Sequence, residues 1–142
     1  MRSAARRRQG YFILLGFGLV LATSCSSNPQ LSKNDVRLVL GDLRTYAAAA
    51  ELLSEENSKQ HLTHTFFTEQ SDLLLDKVED AIKQLDAPAY EHERERQRTI
   101  RIAEELSKDL DAMRNRTAPA DVAALDALAR DAKGLEDELK DR

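Results

Sequence analysis

Apolar residues recur at three- and four-residue intervals over most of the chain, and the phase of that recurrence is interrupted three times. Val36, Val39, Leu40, Leu43, Ala47, Ala50 and Leu53 set the first run, which predicts a helix over about residues 33–56. Phe66, Phe67, Leu73, Leu74, Leu75, Val78, Ala81, Ile82 and Leu85 set the second, predicting a helix over 60–85. Tyr90, Ile100, Ala103, Leu106, Leu110 and Met113 predict a third over 88–116. Val122, Leu125, Leu128, Ala129, Ala132, Leu135 and Leu139 predict a fourth over 119–140. No stretch alternates with period two, so the expectation is an all-α fold. Short connections make successive helices antiparallel, which gives an up-down bundle.

The breaks have chemistry of their own. Ser32 and Asp35 make a capping pair for the first helix. Asp86-Ala87-Pro88-Ala89 and Thr117-Ala118-Pro119-Ala120 each place a capping side chain just before a proline, the signature of a helix start. Between the first two helices, one register can be threaded straight through Ser54, Asn57, His61, His64, Thr68 and Ser71. A helix with six successive polar core positions has little to bury there, so a turn near Asn57-Ser58 is expected instead.

Before the first helix the pattern is different. Tyr11 to Ser24 contains no charge and follows the basic cluster Arg6-Arg7-Arg8. Fourteen residues fall short of the roughly 20 that a spanning helix needs, and they suit the apolar region of a secretory signal. Leu21-Ala22-Thr23-Ser24-Cys25 resembles the lipobox of bacterial lipoproteins. That resemblance implies a signal helix in residues 1–24, cleavage before Cys25 and acylation of its thiol. Residues 25–32 then form a lipidated cysteine and short linker, and 33–142 a helical domain. Ser26 after the cysteine resembles the outer-membrane sorting pattern of Gram-negative lipoproteins. The implied location is the cell envelope, on the periplasmic face of the outer membrane in such a cell. The usual apolar residue two places after a twin-arginine pair is missing, so general secretion is the expected route.

Charge narrows the partners. Removing residues 1–24 takes away four arginines and no acid, so the formal charge of −4 becomes −8. A domain that acidic repels phosphate backbones and anionic head groups, which argues against nucleic acid and against electrostatic adhesion to a membrane, and it leaves the lipid as the expected membrane contact. Cys25 is the only cysteine, so no disulfide or cysteine-based site is available. No nucleophile elbow, glycine-rich phosphate loop or zinc-protease motif is present, and neither catalysis nor a cofactor is expected.

Two groups of residues carry the remaining hypotheses. His61 and His64, three apart on the predicted second helix, present two imidazoles, with Asp109 or Asp111 at the right height to join them; this is the basis of a metal or acid sensor or buffer. Met113 opposite either histidine keeps a b-type haem conceivable. The triplets Leu38-Val39-Leu40 and Leu73-Leu74-Leu75 have more apolar residues than an inward stripe needs, so Leu38 and Leu73 are expected at the surface. Arg94, Arg96 and Arg98 within the polar run 91–98 offer an edge for an acidic or peptidoglycan-like partner, Arg94 and Arg98 above all. These features suggest a binding, assembly or scaffold module, comparable in kind to the small helical pilotin lipoproteins, with which it shares no motif. The competing expectation is a self-associating coiled-coil lipoprotein.

Overall fold

A computed structural model describes residues 31–86, 90, 92–115 and 121–141 of the chain. Four helices account for nearly all of them: α1 (Lys33–Ser58), α2 (His64–Leu85), α3 (Glu93–Asn115) and α4 (Val122–Asp141). They form an antiparallel bundle. α1 packs most extensively on α4 and α2 on α3, and α1 also reaches α3 across the diagonal. The signal segment, the lipobox and Cys25 lie outside the described residues, as do Pro88, Thr117 and Pro119. Among the described residues, no helix is long and apolar enough to cross a membrane.

The first helix starts where its chemistry requires. The Ser32 hydroxyl accepts from the Asp35 amide at 3.2 Å while the Asp35 carboxylate accepts from the Ser32 amide at 2.8 Å, closing a reciprocal cap. α1 ends in a turn rather than a kink. The amides of Lys59, Gln60 and His61 donate to the carbonyls of Glu55, Asn57 and Glu56, and Gln60 takes a left-handed φ of 59°. Thr63 then caps α2, accepting from the Phe66 amide at 3.3 Å. Helix two therefore begins at His64, four residues later than the apolar spacing predicts. Thr63 supplies a side-chain acceptor for the first turn, whereas a start at residue 60 would place Lys59, whose ammonium only donates, at the cap.

The later starts also shift. Asp86 does not open α3; it closes α2, its amide donating to the Lys83 carbonyl. α3 begins only at Glu93, so Tyr90 precedes the helix instead of belonging to it. At α4 the acceptor is Asp121, whose carboxylate receives the amides of Ala123 and Ala124 at 3.1 Å each. A carboxylate at this position also meets the positive end of the helix.

The core is aliphatic. Leu40, Leu43, Leu85, Leu106, Leu110, Leu125, Leu135 and Leu139 are fully buried, with the small residues Ala47, Ala50, Ala103 and Ala132 between them. Four polar side chains are buried as well; Ser71 donates to the Phe67 carbonyl and Thr99 to the Glu95 carbonyl, both one turn back, while Ser54 donates to the Met113 sulfur of α3 at 3.7 Å. The fourth is Glu95, inside a run expected to be solvated. Ser54 and Met113 meet across the α1–α3 diagonal, which fixes the relative height of the two parallel helices.

Candidate interaction surface

The inward stripe of α1 leaves one apolar side chain of each cluster outside. Val39 and Leu40 are buried, while Leu38 is 57% exposed; Leu53 is buried, while its neighbour Leu52 is 60% exposed. α2 repeats the arrangement, with Phe67 and Leu75 buried and Phe66 and Leu73 exposed. Successive helical residues differ by about 100° in direction, so a doublet or triplet cannot turn all its members to one core. Leu38 and Leu73 are at the surface, as the triplets predict. Phe66, expected in the core, is not. Leu52 and Phe66 were legible by the same logic, since Leu52-Leu53 and Phe66-Phe67 are doublets with a single inward position each.

Antiparallel packing of α1 on α2 gathers part of this surface. Ala49, Leu52 and Leu53 face Leu62, Phe66 and Leu74 across a groove of about 240 Å³, with Glu56 and Gln70 as its polar members. Leu73, seven residues from Phe66, lies on the same side of α2 about 10 Å further along, with Glu69 and Gln70 between them. Leu38 lies on the same side of α1 as Leu52 but about 21 Å nearer the start of the helix, with Asp42 and Thr45 between them. Leu73 is next in sequence to the lining residue Leu74 and is not itself part of the lining. Leu38 stands apart from it.

Charged groups close the groove at the turn. The Glu56 carboxylate accepts from His61 Nδ1 at 2.8 Å and from Lys59 Nζ at 2.9 Å. These bonds, His61 first, hold the Glu56 carboxyl below the ordinary range. Further along the α1–α2 seam Tyr46 is half-buried, and burial together with Asp42 and Asp80 pushes its hydroxyl above the usual tyrosine value.

The histidines are not a pair. His61 sits in the turn before α2 and bonds to Glu56, whereas His64 opens the helix and exchanges a hydrogen bond with Thr68 at 3.1 Å. Because α2 starts at His64, three-residue spacing no longer places both imidazoles on one helical face. Asp111 is engaged with Arg114 and Asn115, and Arg114 also reaches Asp72 of α2 at 3.5 Å. Among the described residues, no group of three or more His, Cys, Asp or Glu is arranged to hold a metal ion. Met113 is buried with its sulfur on Ser54, while both histidines are exposed.

Arg94 and Arg98 also serve separate ends. Arg98 Nη1 pairs with Glu138 at 3.0 Å and ties α3 to α4. Arg96 pairs with Glu93 and donates to the Leu85 carbonyl at 2.8 Å, which fastens the start of α3 to the end of α2. Arg94 is exposed. The Arg98–Glu138 contact lies on the α3–α4 side, opposite the α1–α2 groove, so the arginines and the exposed leucines do not form one surface. No family model, no curated protein and no solved structure matches this chain.

Proposed function

We propose that the protein is a lipid-anchored component of a bacterial cell envelope that acts by binding another envelope protein, without catalysis. The observation that carries this reading is the apolar α1–α2 groove lined by exposed Leu52 and Phe66, with exposed Leu73 on the same side of α2. Its position supports the reading. Leu52 lies 19 residues, about 28 Å of helix, from the end of α1 that follows the lipobox-like Cys25. A tether at Cys25 would place the groove near the end of α1 that is farther from the attachment point, where a protein partner could reach it. Self-association through the same surface is the second reading, supported by the apolar side chains exposed on both α1 and α2.

The test uses the native chain in its membrane. Metabolic labelling with a fatty-acid analogue should mark the wild type and not Cys25→Ala; label retained in the variant would remove the anchor. Cross-linking in membranes should then capture a distinct protein, and Leu52→Ser or Leu73→Ser should reduce the capture while changing stability by no more than about 1 kcal/mol, as surface substitutions do. Leu110→Ala, by contrast, should cost about 2–5 kcal/mol. Capture unchanged in both serine variants would sink the groove as the binding face. A cross-link only to a second copy would favour self-association.

A further inference from the structure

At the opposite end of the bundle, the first turns of α1 and the last turn of α4 enclose a cavity of about 280 Å³ lined by Lys33, Asn34, Arg37, Leu139 and Lys140. Three cations surround it and no described carboxylate lines it. Arg37 donates to Asn34 Oδ1 at 3.0 Å, a neutral partner, and among the described residues none of Lys33, Arg37 and Lys140 is in an ion pair. Elsewhere some bases are matched, Arg44 with Glu136, Arg98 with Glu138 and Arg114 with Asp72 and Asp111, and others such as Lys77, Arg94, Arg101, Lys108 and Lys133 are in no ion pair among the described residues; what sets this end apart is that three such cations line one cavity.

Local electrostatics does not explain the arrangement on α1. The amino end of a helix carries a partial positive charge and the carboxyl end a negative one. Lys33 and Arg37 stand near the positive end, whereas the last turn has no basic residue and contains Glu55 and Glu56. Asp35 in the first turn favours the dipole while Lys33 and Arg37 beside it oppose it, and at the other end Glu55 and Glu56 oppose it with Lys59 at the cap paired to both. The helix amides are not the feature of interest, because Ser32 and Asp35 already cap them. A cluster of like charges that breaks a local rule is where a functional constraint is expected.

We infer that Lys33, Arg37 and Lys140 form a foot that binds the phosphate of anionic lipid headgroups and sets the bundle upright on its membrane. The inference rests on the lipid anchor at Cys25. Six residues lie between Cys25 and Ser32, so the seven steps reach at most about 25 Å, and a tether there holds this end of the bundle at the headgroup layer. Net charge alone excludes such a contact. Within the cavity itself the lining charges are all positive, and screening limits each charge to about 8–10 Å, so a phosphate seated there meets the three cations at closest range although Asp35, Asp137, Glu138 and Asp141 stand at the same end of the bundle. Two long amines and a planar guanidinium around an open cavity suit a phosphodiester.

Amine footprinting of the full lipidated chain in vesicles tests this. Acetylation of Lys33 and Lys140 is measured in phosphatidylcholine vesicles and in vesicles with about a third phosphatidylglycerol, with Lys108, far along α3, as internal control. The anionic lipid should slow labelling of Lys33 and Lys140 by about fivefold, leave Lys108 unchanged, and lose this effect in Arg37→Glu. Circular dichroism of the variant verifies its fold. Equal labelling in both vesicles, or protection that survives Arg37→Glu, overturns the proposal. Protection by millimolar inorganic phosphate without vesicles, matching that of the lipid, would overturn the headgroup as ligand. The intact mass of the chain separates the two failures: no lipid on Cys25 removes the anchor and the foot together, whereas a lipidated chain with evenly reactive lysines removes the foot alone.

Discussion

A single carboxylate can stabilise or burden this fold according to what faces it. Asp121 accepts two amides at the start of α4, so Asp121→Ala should cost about 1 kcal/mol in equilibrium unfolding. Asp86→Ala should cost less, because there the backbone amide, not the side chain, makes the closing bond. Asp109 is the opposite case. Burial raises its carboxyl above the usual 3.8; Lys108 opposes the rise, and Asp121 and Glu105 add to it. The folded state therefore holds this proton more tightly than the unfolded state, and stability falls as pH rises from 3.8 through the raised value. Asp109→Asn removes that loss. Its melting temperature should exceed that of wild type at neutral pH, with the difference vanishing below pH 3.8. A difference that is constant with pH would assign the effect to packing.

Helices α1 and α4 each carry a glycine that the fold does not use. A Cβ built at Gly41 or Gly134 meets nothing within 4 Å, and neither residue has a positive φ. Alanine restricts the unfolded chain without crowding the folded one, so Gly41→Ala and Gly134→Ala should each stabilise by about 0.5–1 kcal/mol in denaturant titrations. The effects should add, since the two sites share no partner. A destabilisation at Gly41 would point to strain near Thr45, whose hydroxyl donates to the Gly41 carbonyl at 2.9 Å. The ends of these helices show what apolar spacing leaves open. α2 could have begun anywhere from residue 60 onward on hydrophobic grounds, and the Thr63 side chain decided it. The prolines were sound markers of chain reversal but poor markers of the first helical residue, because the described helices start at Glu93 and Val122.

For the molecule as a whole, the close pairing of α1 with α4 brings together the first and last elements of the sequence. Fully buried alanines make room for it: Ala50 and Ala132 are 0% exposed and Ala47 1%. Ala47→Leu should therefore cost about 1–3 kcal/mol by overpacking, measurable by thermal unfolding, whereas the same change at exposed Ala48 should be near neutral. Equal effects at the two positions would mean that α1 is not held closely on its neighbours at this level.

The chain's periodicity determined the number of helices, their antiparallel order and most of the core. Val36, Leu43, Leu106, Leu110, Leu125 and Leu135 are buried as their spacing requires, because a helix has one direction in which such a stripe can point. The Ser32–Asp35 cap was equally legible, since it needs only neighbours three residues apart. What lay beyond the sequence depends on contacts between helices. Which member of Phe66-Phe67 turns inward follows from where α1 lies. That Glu95 is buried follows from the packing of α3 within the bundle, and that Arg98 reaches Glu138 follows from the pairing of α3 and α4, not from the three-residue spacing of the two residues. The histidines were separated by a cap that shifted one helix by a single turn. The cationic foot joins residues more than a hundred positions apart in the sequence, and only the meeting of the two ends of the chain brings Lys33 and Arg37 to one cavity with Lys140.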